Sequence, residues 1–332
     1  MSRRKVLKIL LAALCVLALS FVGCIVFIYT NVAKIWEKPG VDPGAALAAE
    51  IDPETSGLPT YIGGEVGQVD ETAGTTDILL IGVDNRHSGE FTGLSDVMMV
   101  LRVDKDKNVL KLASFMRDTY VPIEGHNTNK LNTAFSMEGI DLTEKTFQQN
   151  FGITADHYVI INFYGMEDII DALGGVDVTI DKGQEFEWLN ININEINKKD
   201  SKHAVKTFNK PGQCHLNGRQ AVAYMRIRHP DWDAGRIERQ HTVLSQLFSK
   251  AKDISLGEIP GLIDAMYQYV RTDIPLTDIL EIAKTVKGIT GGLKTFRYPD
   301  EYDNPTIKDA GSIVQPKDFD TEMKKLQDFL EN

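Results

Sequence analysis

The spacing of apolar positions changes several times along the chain, and each change marks an element. TDILLIGVD (76–84) is an apolar run closed by Gly82 and Asp84, which predicts a buried strand. DVMMVLRVD (96–104) and NVLKLASFM (108–116) flank KDK and predict a β-hairpin. KLNTAFSM (130–137) and LTEKTFQQNF (142–151) are helical in composition. HYVIINF (157–163) predicts a strand, GMEDIIDALGG (165–175) a helix closed by glycine, and VDVTI (176–180) another strand. Residues 181–213 are polar and Asn/Lys-rich around ININEIN, and the expectation there is an insertion or long loop. NGRQAVAYMR (217–226) and GRIERQHTVLSQLFSKAKD (235–253) read as helices. Ile237, Leu244, Phe248 and Ala251 recur at helical spacing and supply the core face of the second. Helices over 257–270 and 277–287, a strand at LKTFRYP (293–299) and a C-terminal helix finish the chain. Strands alternating with helices predict one layered α/β domain over residues 76–332.

The N-terminal pattern is of another kind. ILLAALCVLALSFVGCIVFIYT (9–30) carries no charge. As a helix it would span about 33 Å, enough for a hydrocarbon core of about 30 Å. Arg3, Arg4, Lys5 and Lys8 precede it, so the positive-inside rule puts residues 1–8 in the cytoplasm and the rest outside. A cleaved signal peptide would end in an A-x-A-like site, which this run lacks. Lipidation would use Cys24, but the apolar IVFIY after it continues the span. The expectation is a single-pass signal anchor in the cell membrane. Residues 31–75, rich in Gly, Pro, Ala, Glu and Thr, follow as a juxtamembrane spacer.

Composition narrows the classes. At 42% hydrophobic and 25% charged residues the chain is globular in character. A formal net charge of −11 argues against a broad nucleic-acid-binding surface. Cys15 and Cys24 lie in the apolar run, which leaves Cys214 alone and excludes an internal disulfide in the exported part.

Against that acidity, YMRIRHPDWDAGRIERQ (224–240) gathers Arg226, Arg228, Arg236 and Arg239, with Arg219 just upstream. Arg226 and Arg228 are two apart in an extended stretch and face one side. Arg236 and Gln240 lie one turn apart on the next helix, with Asp233 placed to cap it. Forked donors converging on a helix start suit a pyrophosphate, because guanidinium groups bind phosphate oxygens bidentately. A solvated basic helix face would have the same composition. Asp84 ends a predicted strand and Asp96 opens the next, so the pair could share a hard divalent ion or simply end a strand and cap a turn. Arg117 and Asp118 follow the hairpin, as sheet-edge groups or as a surface ion pair. His229 and His241 sit near the arginines without zinc-site spacing. G-x-S-x-G, Walker A and G-x-G-x-x-G motifs are all missing, which argues against familiar serine hydrolases and nucleotide enzymes.

TDILLIGVDNR (76–86), SDVMMVLRVD (95–104), SFMRDTYV (114–121), KLNTAF (130–135), HYVIINF (157–163), DALGGVDV (171–178), LNGRQAVAYMRIR (216–228) and GRIERQ (235–240) occur in one order across residues 76–250. That ordered set resembles the LytR-CpsA-Psr family of cell-wall transferases. The resemblance implies a mixed central β-sheet flanked by helices. It also implies transfer of an anionic glycopolymer from a polyprenyl-pyrophosphate carrier to peptidoglycan, through a phosphodiester. Carried over by motif, Asp84 and Asp96 would hold Mg²⁺. Arg117, Arg226, Arg228, Arg236 and Gln240 would grip the pyrophosphate, and an apolar tunnel would take the prenyl chain. Arg86, Asp118, Lys130, Asn132, Asp233 and Arg239 would support the site. Two departures stand out: Leu94 where the family usually has arginine, and Met116 where proline commonly precedes the Arg-Asp pair. A lipid pyrophosphatase and a non-catalytic envelope attachment or regulatory protein are the alternatives that the same residues leave open.

Overall fold

The apolar run at 76–84 becomes the centre of a sheet in the computed structural model, which describes residues 74–83, 91–228, 232–255, 257 and 269–332. In chain order the elements are β1 (Thr75–Val83), β2 (Ser95–Asp104), β3 (Val109–Phe115), the two-residue strands β4 (Tyr120–Val121) and β5 (Asn129–Lys130), α1 (Leu131–Glu138) and α2 (Ile140–Phe151). There follow β6 (His157–Asn162), α3 (Phe163–Ala172), β7 (Val176–Ile180), α4 (Gln184–Lys199), β8 (Gly212–Leu216), α5 (Gly218–Met225) and α6 (Trp232–Ala251). The chain closes with β9 (Val270–Thr272), α7 (Leu276–Gly288), β10 (Leu293–Tyr298) and α8 (Phe319–Glu331).

The main sheet is mixed, in the order β10-β3-β2-β1-β6-β9. β2 runs antiparallel to both β1 and β3, while β1–β6 and β3–β10 are parallel. Successive strand residues point to opposite faces, so each continuous apolar run feeds two cores. Leu79, Ile81 and Val83 of β1 pack under α1, α2 and α8 with Phe135, Phe147 and Leu326. Ile78 and Leu80 face the other way, with Met99, Leu101 and Leu112, against Ile282 and Val286 of α7. A third apolar centre lies among α3, α4, α5 and the β7–β8 ladder, built on Ile170, Leu189, Ile193 and Val222.

Two expectations are corrected and a third is placed. The stretch 181–213 is not a long loop but α4, a short 3-10 turn and the start of β8. Leu189, Ile193 and Ile196 recur at helical spacing and are buried, and Glu185, Glu187 at one end and Lys198, Lys199 at the other complement the helix dipole. VDVTI does form a strand, but it pairs only with β8 among the described residues and stands outside the main sheet. On α6 the buried apolar positions are Ile237, Val243 and Leu247, whereas Leu244, Phe248 and Ala251 are partly exposed. The helix expected over 257–270 falls mostly outside the described residues, and its last position, Val270, opens β9. Residues 1–73, with the apolar run 9–30, also lie outside them. Among the described residues no helix is long and apolar enough to cross a membrane.

The last helix is held by buried charge. Arg102 donates to both carboxylate oxygens of Asp77, at 2.7 and 2.6 Å, and to the carbonyl of Leu330 at 3.1 Å. Lys111 Nζ reaches the same carbonyl at 2.7 Å. Two cations thus sit at the negative end of α8. Burial opposes the Arg102 charge, yet the Asp77 hydrogen bonds carry its pKa above the ordinary value.

Candidate functional site

A cavity of about 250 Å³ opens between the sheet and the α3–α6 helices. Gly82, Val97, Met99 and Ile161 floor it from β1, β2 and β6; Phe163, Met166, Val222, Met225 and Leu244 wall it from α3, α5 and α6. Its polar groups are Asp96, Asn162, Asn192, Arg226, Arg228, Arg236 and Gln240. One cavity therefore combines a greasy body with a cationic end.

The local chain explains the cationic end. Asn217 and Gln220 form a reciprocal capping box that starts α5. Gly218 then packs so tightly that a Cβ there would collide with the Glu167 carbonyl of α3. α5 stops at Met225, and Arg226 follows as its C-cap with φ −95° and ψ −4°. The guanidinium of Arg226 lies 4.8 Å from the Phe163 ring centroid, a cation–π contact on the cavity wall. Arg228 is exposed, whereas Arg236 and Gln240, one turn apart on α6, are 4% and 5% exposed.

The arginine cluster divides. Arg219 is turned away from the cavity, with Glu167 at 3.1 Å, Asp200 Oδ2 at 2.7 Å and the Asp200 carbonyl at 3.0 Å. Its hydrogen bond holds the Asp200 carboxyl down at about 2. Arg239 donates to Glu185 of α4 at 2.9 Å and to the Ile227 carbonyl at 3.1 Å. It ties α4 to the α5–α6 connection and does not line the cavity.

The hairpin side supplies a chain of alternating charge. Asp96, on the cavity wall, accepts from Arg117 Nη1; Arg117 Nε lies 3.5 Å from Asp118, and Asp118 lies 3.1 Å from Lys130 Nζ. Asn132 is buried, and its backbone N–H donates to the Arg117 carbonyl at 3.1 Å. Arg117 therefore reaches the cavity through Asp96 and is not among its lining residues. Asp84 and Arg86 lie outside the described residues. α6 begins at Trp232, so Asp233 falls inside its first turn and not at the position before it; its side chain is also outside the described residues.

Among the described residues no group of three or more His, Cys, Asp or Glu side chains is placed to hold a metal ion. The donor chemistry of Asp96 fits Mg²⁺ all the same, since that ion is usually held by one or two carboxylates with waters and substrate phosphate oxygens. Sequence reasoning missed Asn162, Phe163, Met166 and Asn192. Asn192 falls in the stretch 181–213, whose polar, Asn/Lys-rich composition predicts a loop. The Leu189, Ile193, Ile196 spacing was the signal that would have put it on a helix.

A sequence profile of the LytR_cpsA_psr family matches residues 50–328. The regulatory protein MsrR of Staphylococcus aureus (strain COL) is 28% identical over 270 residues, 78% of this chain and 75% of that protein. The polyisoprenyl-teichoic acid–peptidoglycan teichoic acid transferase TagU of Bacillus cereus (strain AH820) is 31% identical over 238 residues, 70% and 72% of the two chains. Among solved structures, TagT bound to LIIa-WTA superposes with a TM-score of 0.62 at 26% identity, covering 78% of this chain and 91% of that one. TagV of B. subtilis gives 0.60 at 26% identity, covering 77% and 97%. The profile match spans most of the chain, and its mixed sheet with flanking helices agrees with these folds: the protein belongs to the LytR_cpsA_psr family.

Proposed function

We propose that this protein is a membrane-anchored phosphotransferase that moves an anionic glycopolymer from a polyprenyl-pyrophosphate carrier to peptidoglycan on the outer side of the membrane. The observation that carries the reading is the two-part cavity, apolar along the sheet and helices and lined at one end by Arg226, Arg228, Arg236 and Gln240. Such a cavity matches a ligand whose pyrophosphate is attached to a hydrocarbon chain. The names of TagU and TagV supply the transfer class, and that of MsrR leaves room for a regulatory relative.

In this reaction a peptidoglycan hydroxyl attacks the phosphorus next to the glycan. A new P–O bond forms, the bridging P–O bond breaks, polyprenyl phosphate leaves with the electron pair, and the hydroxyl proton passes to water. Guanidinium groups fixed around the phosphoryl oxygens neutralise the charge that develops there, which is electrostatic and positional catalysis. The apolar walls exclude water and strengthen those interactions. Asp96, with Asp84, would hold Mg²⁺, which when bound supplies further neutralisation of phosphate charge.

The test is to incubate the full chain in detergent with Mg²⁺, a polyprenyl-pyrophosphate-linked sugar and peptidoglycan oligomers, and to read products by mass spectrometry. A sugar-phosphate adduct on peptidoglycan, lost in Arg226→Ala and Asp96→Ala, is expected. Released sugar phosphate without adduct would make the protein a hydrolase. Unchanged substrate beside an active relative would support a non-catalytic role.

A further inference from the structure

Behind the cavity wall, His241 of α6 and Ser114 of β3 meet, with Nε2 and Oγ 2.7 Å apart. They are 5% and 1% exposed, and neither lines the cavity. The bond joins elements that carry separate parts of the cationic end. Gln240 immediately precedes His241, and Arg236 lies one turn before Gln240. On the other side, Ser114 stands three positions before Arg117, whose guanidinium binds Asp96. Ser114 is also in register with Met99 of β2, which floors the cavity, and with Arg297 of β10.

Helix geometry links these positions. Consecutive residues are about 100° and 1.5 Å apart on an α-helix, so a turn that points Gln240 into the cavity carries His241 round toward the sheet. Ile237, on the same side as His241, packs against Met116 at the end of β3. An apolar residue in place of His241 would fill space but fix no direction, whereas a hydrogen bond has a required distance and angle. The imidazole is neutral: burial, then the nearby Arg297 cation, push its pKa down to about 4.

We infer that the Ser114–His241 hydrogen bond is a positioning device, setting the rotation and height of α6 over β3 so that Arg236 and Gln240 stand at pyrophosphate reach from the Arg117–Asp96 pair. This inference rests on the pyrophosphate reading above. His241 acts through its neighbours and touches no reacting atom.

Calorimetric titration of the full chain in detergent with geranylgeranyl pyrophosphate tests it. His241→Phe and Ser114→Ala should each weaken binding about tenfold, the scale of one hydrogen bond. The double variant should be no weaker than His241→Phe alone. His241→Gln, whose amide can meet Ser114, should bind near the wild-type value. Leu247→Ala, a core truncation elsewhere on α6, should lower the Tm yet leave affinity unchanged. Wild-type affinity in His241→Phe overturns the positioning role by itself. So does a Leu247→Ala variant as weak as His241→Phe, which would make the effect general loosening of α6. A wild-type protein that gives no binding signal sinks the pyrophosphate reading and the positioning role with it.

Discussion

Five arginines crowd residues 219–239, and what separates them is the surface each one faces, not sequence. Arg219 and Arg239 have carboxylates within hydrogen-bond distance, whereas Arg226, Arg228 and Arg236 line the cavity. Mutation should sort them the same way. Arg219→Met leaves Glu167 and Asp200 with an uncompensated charge and should cost about 3 kcal/mol in denaturant unfolding, the low end for breaking a buried pair. Arg226→Ala should lose binding to the pyrophosphate probe. Leu94 is 50% exposed and stands two positions before Asp96, which lines the cavity. Leu94→Arg should tighten the probe severalfold, the modest gain of an exposed charge, and an unchanged Kd would show that no contact is missing there. His241 makes a third case. Its folded pKa of about 4 lies below the ordinary 6.5, so between those values the unfolded chain binds a proton that the folded chain refuses. Stability is then fully present above about pH 6.5 and falls as pH drops toward 4, by up to about 3 kcal/mol. Unfolding curves of wild type and His241→Gln across that window should converge at low pH. The motif spacing brought the cavity-lining arginines into view, but no local pattern names Glu167, Asp200 and Glu185 as the partners of Arg219 and Arg239, because those carboxylates come from α3, α4 and the residue after α4.

At the scale of elements, the legible ones are those whose apolar pattern is either continuous or strictly alternating. β1, β2 and β3 are apolar over most of their length because both sheet faces are covered, broken by the buried Asp77, Arg102, Lys111 and Ser114. VDVTI alternates, buried at Val176, Val178 and Ile180 and exposed between, and that alternation marks a ladder with one open face. α4 escaped notice because Asn and Ile are weak helix formers, and its stability comes from three buried contacts that only the tertiary structure supplies. α8 depends on charge in the same nonlocal way. Arg102→Met would leave Asp77 buried and unpaired and the end of α8 short of one donor. It should cost about 3–5 kcal/mol in chemical unfolding, and the paired Asp77→Leu/Arg102→Met variant should recover part of that.

At the scale of the molecule, the hairpin was foreseeable because its partners are neighbours in sequence. The parallel pairs β1–β6 and β3–β10 were not, since each joins strands separated by helices and no local pattern names the partner. The same distinction runs through the cavity. Its four cationic-end groups after α5 come from one segment, 226–240, whereas Asp96 and the Arg117 behind it belong to the first hairpin. An anion seated between them is a noncovalent staple across all the elements from β4 to α5, and a staple stabilises whatever it closes. Ligand at a hundredfold excess over its Kd should add about 2.7 kcal/mol of stability, visible as a rise in Tm with the pyrophosphate probe. The rise should vanish in Arg226→Ala. On the proposed reading, the protein before it meets its substrate is a looser object than afterwards, and the carrier lipid would be a folding cofactor as well as a reactant.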